Sequence, residues 1–250
     1  MIAFARARLA AVHWLVFFAA IIAAWAALMA MQGAQADGLF ARLAAICRVD
    51  GAGAGYRVIF AMWALMAAAM MAPTLMPALA VLDDLSRGRA RIFIEFCAGY
   101  GAIWLGFAAV AAALQLALSA SGWIGADGAS LSPLLTGGLL IVAGGYQFSN
   151  LKAGCVSKCL SPMAFFMSHW SDASWNATAM GLRLGAICLG CCWALMALAF
   201  VGGTMNLIWM GLATVLMVSE KLPRMSRMVV RPLGVVLIAA GLGVLSTAFF

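Results

Sequence analysis

The chain has 250 residues, of which 66% are hydrophobic and only 9% charged, and its mean hydropathy is +1.07. No soluble domain of this length can hide so much apolar surface, and the connections are too short to hold a second domain, so residues 1–250 read as one all-α, polytopic transmembrane helix bundle. The net charge of +7 does not carry a nucleic-acid role, because no dense basic run is interleaved with aromatics.

A bilayer core of about 30 Å needs about 20 mostly apolar residues per helix. Runs of that kind are predicted at Val12–Met31, 58–82, 92–118, 133–150, 181–201, 203–219 and 232–249, which makes seven spans. Arg6 and Arg8 precede the first run, and Ala34-Gln35-Ala36 after it resembles a signal-peptidase site. The apolar stretch is longer than the usual leader core of about 7 to 15 residues, so a retained span is expected, with cleavage as the alternative. The fifth and sixth runs meet at Gly202-Gly203, where two glycines supply a tight turn.

Orientation follows from the basic residues, which short cytoplasmic loops retain. With the amino terminus in the cytoplasm, that side holds Arg6, Arg8, Arg87, Arg89, Arg91, Lys152, Lys158, Arg183, Lys221, Arg224, Arg227 and Arg231. Only Arg42, Arg48 and Arg57 lie outside. A bacterial cytoplasmic (inner) membrane location is expected, with the carboxyl terminus periplasmic and the lipid bilayer as the constant partner. Trp123, Trp170 and Trp175 suit an interfacial belt. His13 and His169 read as interfacial residues, and Asp83, Asp84, Glu95 and Glu220 as members of exposed ion pairs at the cytoplasmic border.

Seven cysteines carry the first chemical signal. Cys47 falls outside, and Cys97 sits singly in the third run as a small buried hydrophobe. Cys155 and Cys159 lie in the cytoplasmic segment after the fourth run, beside Lys152 and Lys158. A reducing compartment keeps such thiols free, and neighbouring ammonium groups favour the thiolate that binds metal or attacks disulfides. Cys188, Cys191 and Cys192 lie in the fifth run, so Cys188 has neighbours three and four residues on, along one helix face. Close packing is the competing explanation for such small residues, with Gly185 and Gly190 beside them.

Methionines recur in the second run at Met62, Met66 and Met70, with Met71 adjacent. On its own such a stripe is gap-filling packing. Counting about 1.5 Å per residue along two antiparallel spans, however, sets Met70 level with Cys188, Met66 with Cys192 and Met62 with Met196, provided the second and fifth spans touch. Gln147 in the fourth run reaches the same level and needs a polar partner in lipid.

Four motifs, MWALMAAAMMAP at 62–73, GYQFSNLKAGCVSKCLSP at 145–162, CLGCCWALM at 188–196 and GTMNLIWM followed by Glu220 and Lys221, resemble a bacterial family of predicted metal-binding integral membrane proteins. That family usually carries a basic residue where this chain has Leu160, and Thr-Pro where it has Ser149 and Asn150; every cysteine is in place. The resemblance implies metal binding and no particular activity.

Thiolate and thioether donors together favour Cu(I), with Zn(II) an option if four cysteines converge. The expected ligands are Cys188, Cys191, Cys192, Cys155, Cys159, Met70 and Met66, supported by Lys152, Gln147, Met71 and Met196. The expected role is homeostasis, translocation, or delivery to or from a partner protein. A membrane thiol-disulfide relay and a structural subunit are the alternatives. No phosphate loop, serine triad, glycosidase pair or nucleotide fingerprint is present, so no enzymatic reaction is assigned.

Overall fold

The computed structural model describes residues 2–32, 55–169, 175–204, 206–222 and 225–249. Cys47, Arg42, Arg48, Trp170, Arg224 and the Ala34-Gln35-Ala36 site lie outside the described residues. Among those residues the chain is helical, apart from one isolated bridge between Ile124 and Ser130. In chain order the helices are α1 (Ile2–Gln32), α2 (Tyr56–Ser86), α3 (Ala90–Ala120), α4 (Pro133–Tyr146), α5 (Asn150–Cys159), α6 (Pro162–His169), α7 (Asn176–Ala197), α8 (Ala199–Gly202), α9 (Leu207–Glu220) and α10 (Ser226–Phe249).

Each of the seven apolar runs contains a helix, and five of these are long and apolar enough to cross a membrane: those in α1, α2, α3, α7 with α8, and α10. The other two, α4 and α9, have 14 residues each, about 21 Å of helix. Local chemistry shortens both. The backbone turns at Gln147 and Phe148, and Ser149 then caps α5 by accepting from the Lys152 N–H at 3.1 Å. Serine can therefore replace threonine at this helix start without loss of the cap. At the other site Gly203 takes φ 90°, a conformation favouring glycine, and Asn206 accepts from the N–H groups of Ile208 and Trp209, each at 3.1 Å. The turn expected at the glycine pair is present, and the helix after it starts late.

Glycine sets the closest contacts. A Cβ on Gly99 would strike the carbonyl of Thr178, and one on Gly181 would strike the carbonyl of Phe96. So α3 and α7 pack backbone to backbone, as small residues allow where lipid supplies no hydrophobic driving force between helices. A second glycine seam joins α4 to α10, where a Cβ on Gly144 would lie 2.8 Å from the Gly234 carbonyl.

The second and fifth spans do meet: Thr74 Oγ1, one turn beyond Met70, lies 3.9 Å from the Cys188 sulfur, and the rings of Trp63 and Phe200 are 5.5 Å apart. The extensive neighbour of α7 is nevertheless α3, on which α2 also packs. Sequence depth aligns levels, but it does not say which helices are adjacent. Along α2, Pro73 has no N–H to give, which frees the Ala69 carbonyl; the indole of Trp25 on α1 donates to it at 3.1 Å.

Two charge expectations also change. His13 is buried, at 7% exposure, 3.1 Å from Asp83, and Trp14 donates to the same carboxylate at 2.9 Å. Glu220 is buried rather than exposed, because α9 ends inside the packed core. Arg91 and Glu95 do form the surface pair expected of them.

Candidate metal centre

Helical spacing in α7 places Cys188, Cys191 and Cys192 so that their sulfurs all lie within 4.8 Å of one another, and all three residues are buried. Cys191 and Cys192 are 3.2 Å apart at sulfur, and the Cys191 thiol donates to the Cys188 carbonyl at 3.0 Å. Gly185 and Gly181 let α3 approach on the preceding turns, and that approach brings Tyr100 to the cluster. Its hydroxyl is 2.9 Å from the Cys188 sulfur and 3.3 Å from the Met71 carbonyl.

Two further groups converge on the same sulfur. The ammonium of Lys221 lies 2.9 Å from Cys188 Sγ and donates to Thr74 Oγ1 at 2.8 Å; that hydroxyl is itself 3.9 Å from the sulfur and donates to the Met71 carbonyl at 2.7 Å. Cys188 is thus ringed by a phenol, an alcohol and an ammonium inside an otherwise apolar core. Such an environment stabilises negative charge on sulfur, the form that binds a metal ion.

The helix after α4 brings the other cysteine pair alongside. A Cβ at Gly190 would lie 2.9 Å from the Cys155 sulfur, so glycine there makes room for α5, and Cys159 lies next to Cys191. Tyr146, at the end of α4, donates its hydroxyl to the Gly190 carbonyl. Cys155 and Cys159 border the cluster, and the sulfurs that meet within 4.8 Å all belong to α7. Both border cysteines are partly exposed, while the three of α7 are buried. The five thiols therefore form a graded path from the surface of α5 into the core of α7. Three sulfurs this close can share one soft metal ion, with no charged oxygen among them to favour a hard one.

The remaining residues singled out from sequence fall around this centre. Met66, Met70, Met71 and Met196 are all buried in the core. The α2 side chain that reaches Cys188 is Thr74, one turn beyond Met70. Lys152 directs its ammonium at Glu220, with oxygen distances of 2.8 and 2.9 Å and both side chains 1% exposed. Gln147 is buried beside Glu220.

A model of the PpoB2 family, described as a copper chaperone, matches residues 60–244. The chain belongs to this family. The match runs from α2 into α10 and takes in every residue of the centre, including Thr74, Tyr100, Lys221 and the cysteines of α5 and α7. No curated protein and no solved structure matches the chain. For the PpoB2 family, then, this geometry supplies a chemical reason to bind metal: a buried group of three thiols, with charge compensation already built beside one of them.

Proposed function

We propose that the chain is a membrane-embedded copper chaperone that holds Cu(I) on Cys188, Cys191 and Cys192 and exchanges it with a donor or acceptor protein through Cys155 and Cys159. The observation that carries this reading is the meeting of three buried sulfurs within 4.8 Å in a chain whose family is described as a copper chaperone. Thiols are soft donors, and a monovalent ion costs less to desolvate than a divalent one in a core of this kind, so Cu(I) is preferred over Zn(II). Met70 and Met66 on α2 are candidate thioether donors for an ion on its way to or from the thiols.

The basic residues support an inner-membrane orientation with α5 on the cytoplasmic face. There Cys155 and Cys159 capture or release the ion, and the α7 cluster retains it. Purified in detergent under reducing, oxygen-free conditions, the chain should hold about one Cu(I). Replacing Cys188 and Cys191 together with serine should abolish retained copper, while serine at Cys155 and Cys159 should slow loading more than it lowers final content. Undiminished copper in the Cys188→Ser/Cys191→Ser protein overturns the reading. Reversible disulfide formation among these cysteines, without bound metal, would put the thiol relay in its place.

A further inference from the structure

We propose that Lys221 determines the charge of the metal ion this site accepts, because its ammonium is the fixed cation of a bis-thiolate centre. The inference rests on the copper reading above and deepens it. Lys221 sits at the end of α9, half-buried, with Nζ 2.9 Å from the Cys188 sulfur. The Thr74 hydroxyl and the Cys188 sulfur both receive it, and no carboxylate is paired with it among the described residues. The nearest acid in sequence, Glu220, is already matched by Lys152. The ammonium of Lys221 therefore meets two acceptors, the neutral Thr74 hydroxyl and the Cys188 sulfur, of which only the sulfur can carry negative charge.

Charge balance in a low-dielectric site then selects the ion. With two of the three cysteines as thiolates and the third a neutral thiol, one ammonium and one monovalent cation bring the site to zero, the second thiolate's proton leaving to solvent on loading. Two thiolates, one ammonium and a divalent cation leave a net positive charge, which the surrounding core solvates poorly. For any one set of thiolates, the ammonium repels a divalent ion twice as strongly as a monovalent ion in the same place, since the energy scales with the product of charges. Lys221 attracts the thiolates equally in both cases, so its net effect is on the choice between metals. A lysine that merely filled space or anchored α9 would carry no such preference.

Ag(I) and Cd(II) separate these possibilities: both are soft and bind thiolate, and they differ in charge. With the full chain in detergent under reducing conditions, competition between the two ions should favour Ag(I). In Lys221→Met, selectivity for Ag(I) over Cd(II) should fall by about tenfold or more. In Lys221→Arg, which keeps the charge, it should stay near that of the parent. Lys221→Gln removes the charge and keeps a donor for Cys188 and Thr74, so it should behave as the methionine variant does, and it decides the matter if Lys221→Met does not yield folded protein. Equal weakening of both ions in the neutral variants, or an arginine variant that shifts as far as they do, overturns the inference and leaves the copper site standing. A parent chain that binds neither ion overturns both.

Discussion

Glu220 and Lys221 are consecutive in the chain, yet they end in two different electrostatic settings. Glu220 turns to Lys152 across 68 residues of sequence, and the pair is sealed at 1% exposure on each side. Lys221 turns to Cys188, which can be a thiol, a thiolate or a metal ligand. In the first setting the charges cancel permanently; in the second the cation's partner can change identity. One pair fastens α5 to α9, and the other joins the end of α9 to the thiol cluster of α7.

Breaking the sealed pair should have the largest effect on stability. Glu220→Gln leaves the Lys152 ammonium buried without a counter-charge and should cost about 3–5 kcal/mol, read as a lowered unfolding transition in detergent. Replacing both partners, as Lys152→Met with Glu220→Leu, should recover most of that loss. A cost below about 1 kcal/mol for Glu220→Gln would reduce the pair to the standing of a surface ion pair and remove the contrast.

Lys221→Met should cost less, about 1.5–3 kcal/mol for hydrogen bonds made by a charged group, because Cys188 can remain a neutral thiol when the ammonium is gone. Its larger consequence should appear in metal selectivity. A Lys221 variant as destabilised as Glu220→Gln would mean that both lysines serve the scaffold. The smallest effect expected is that of Tyr100→Phe, about 1 kcal/mol, since Cys188 keeps its ammonium neighbour and the Met71 carbonyl keeps Thr74 as a donor. The same unfolding measurement ranks all three.

The helical runs were legible because a membrane span writes itself into composition, and the cysteine triad was legible because spacings of three and four fall on one helix face. The partners of Cys188 were not. Tyr100, Thr74 and Lys221 lie 88, 114 and 33 residues away from it in sequence, and no local period relates residues on different helices. The same blindness explains why Glu220 read as an exposed border acid: its burial follows from the late start of α9 after Gly203 and from a partner on α5. The methionine register came within one turn of the α2 contact, which falls at Thr74 and not at Met70. Depth counted along two helices gives the level of a contact, but not which side chain makes it.

The two short helices bear on where the centre would sit in the proposed membrane setting. Cys188 is near the middle of α7, yet α4 ends at Tyr146, whose hydroxyl meets Gly190, and α9 ends one residue before Lys221, whose ammonium meets Cys188. Both 14-residue helices thus stop at the depth of the thiols. On the expected seven-span arrangement, a hydrophobic length of about 21 Å is less than the bilayer core, and lipid around these two helices would thin to match them. Measured along α7 the sulfurs are far from either helix end, whereas on that arrangement the ends of α4 and α9 would set them at the floor of a local depression in the membrane. Thicker bilayers would press on that depression, so in the proposed copper chaperone the lipid environment itself would become a term in how easily the metal is reached.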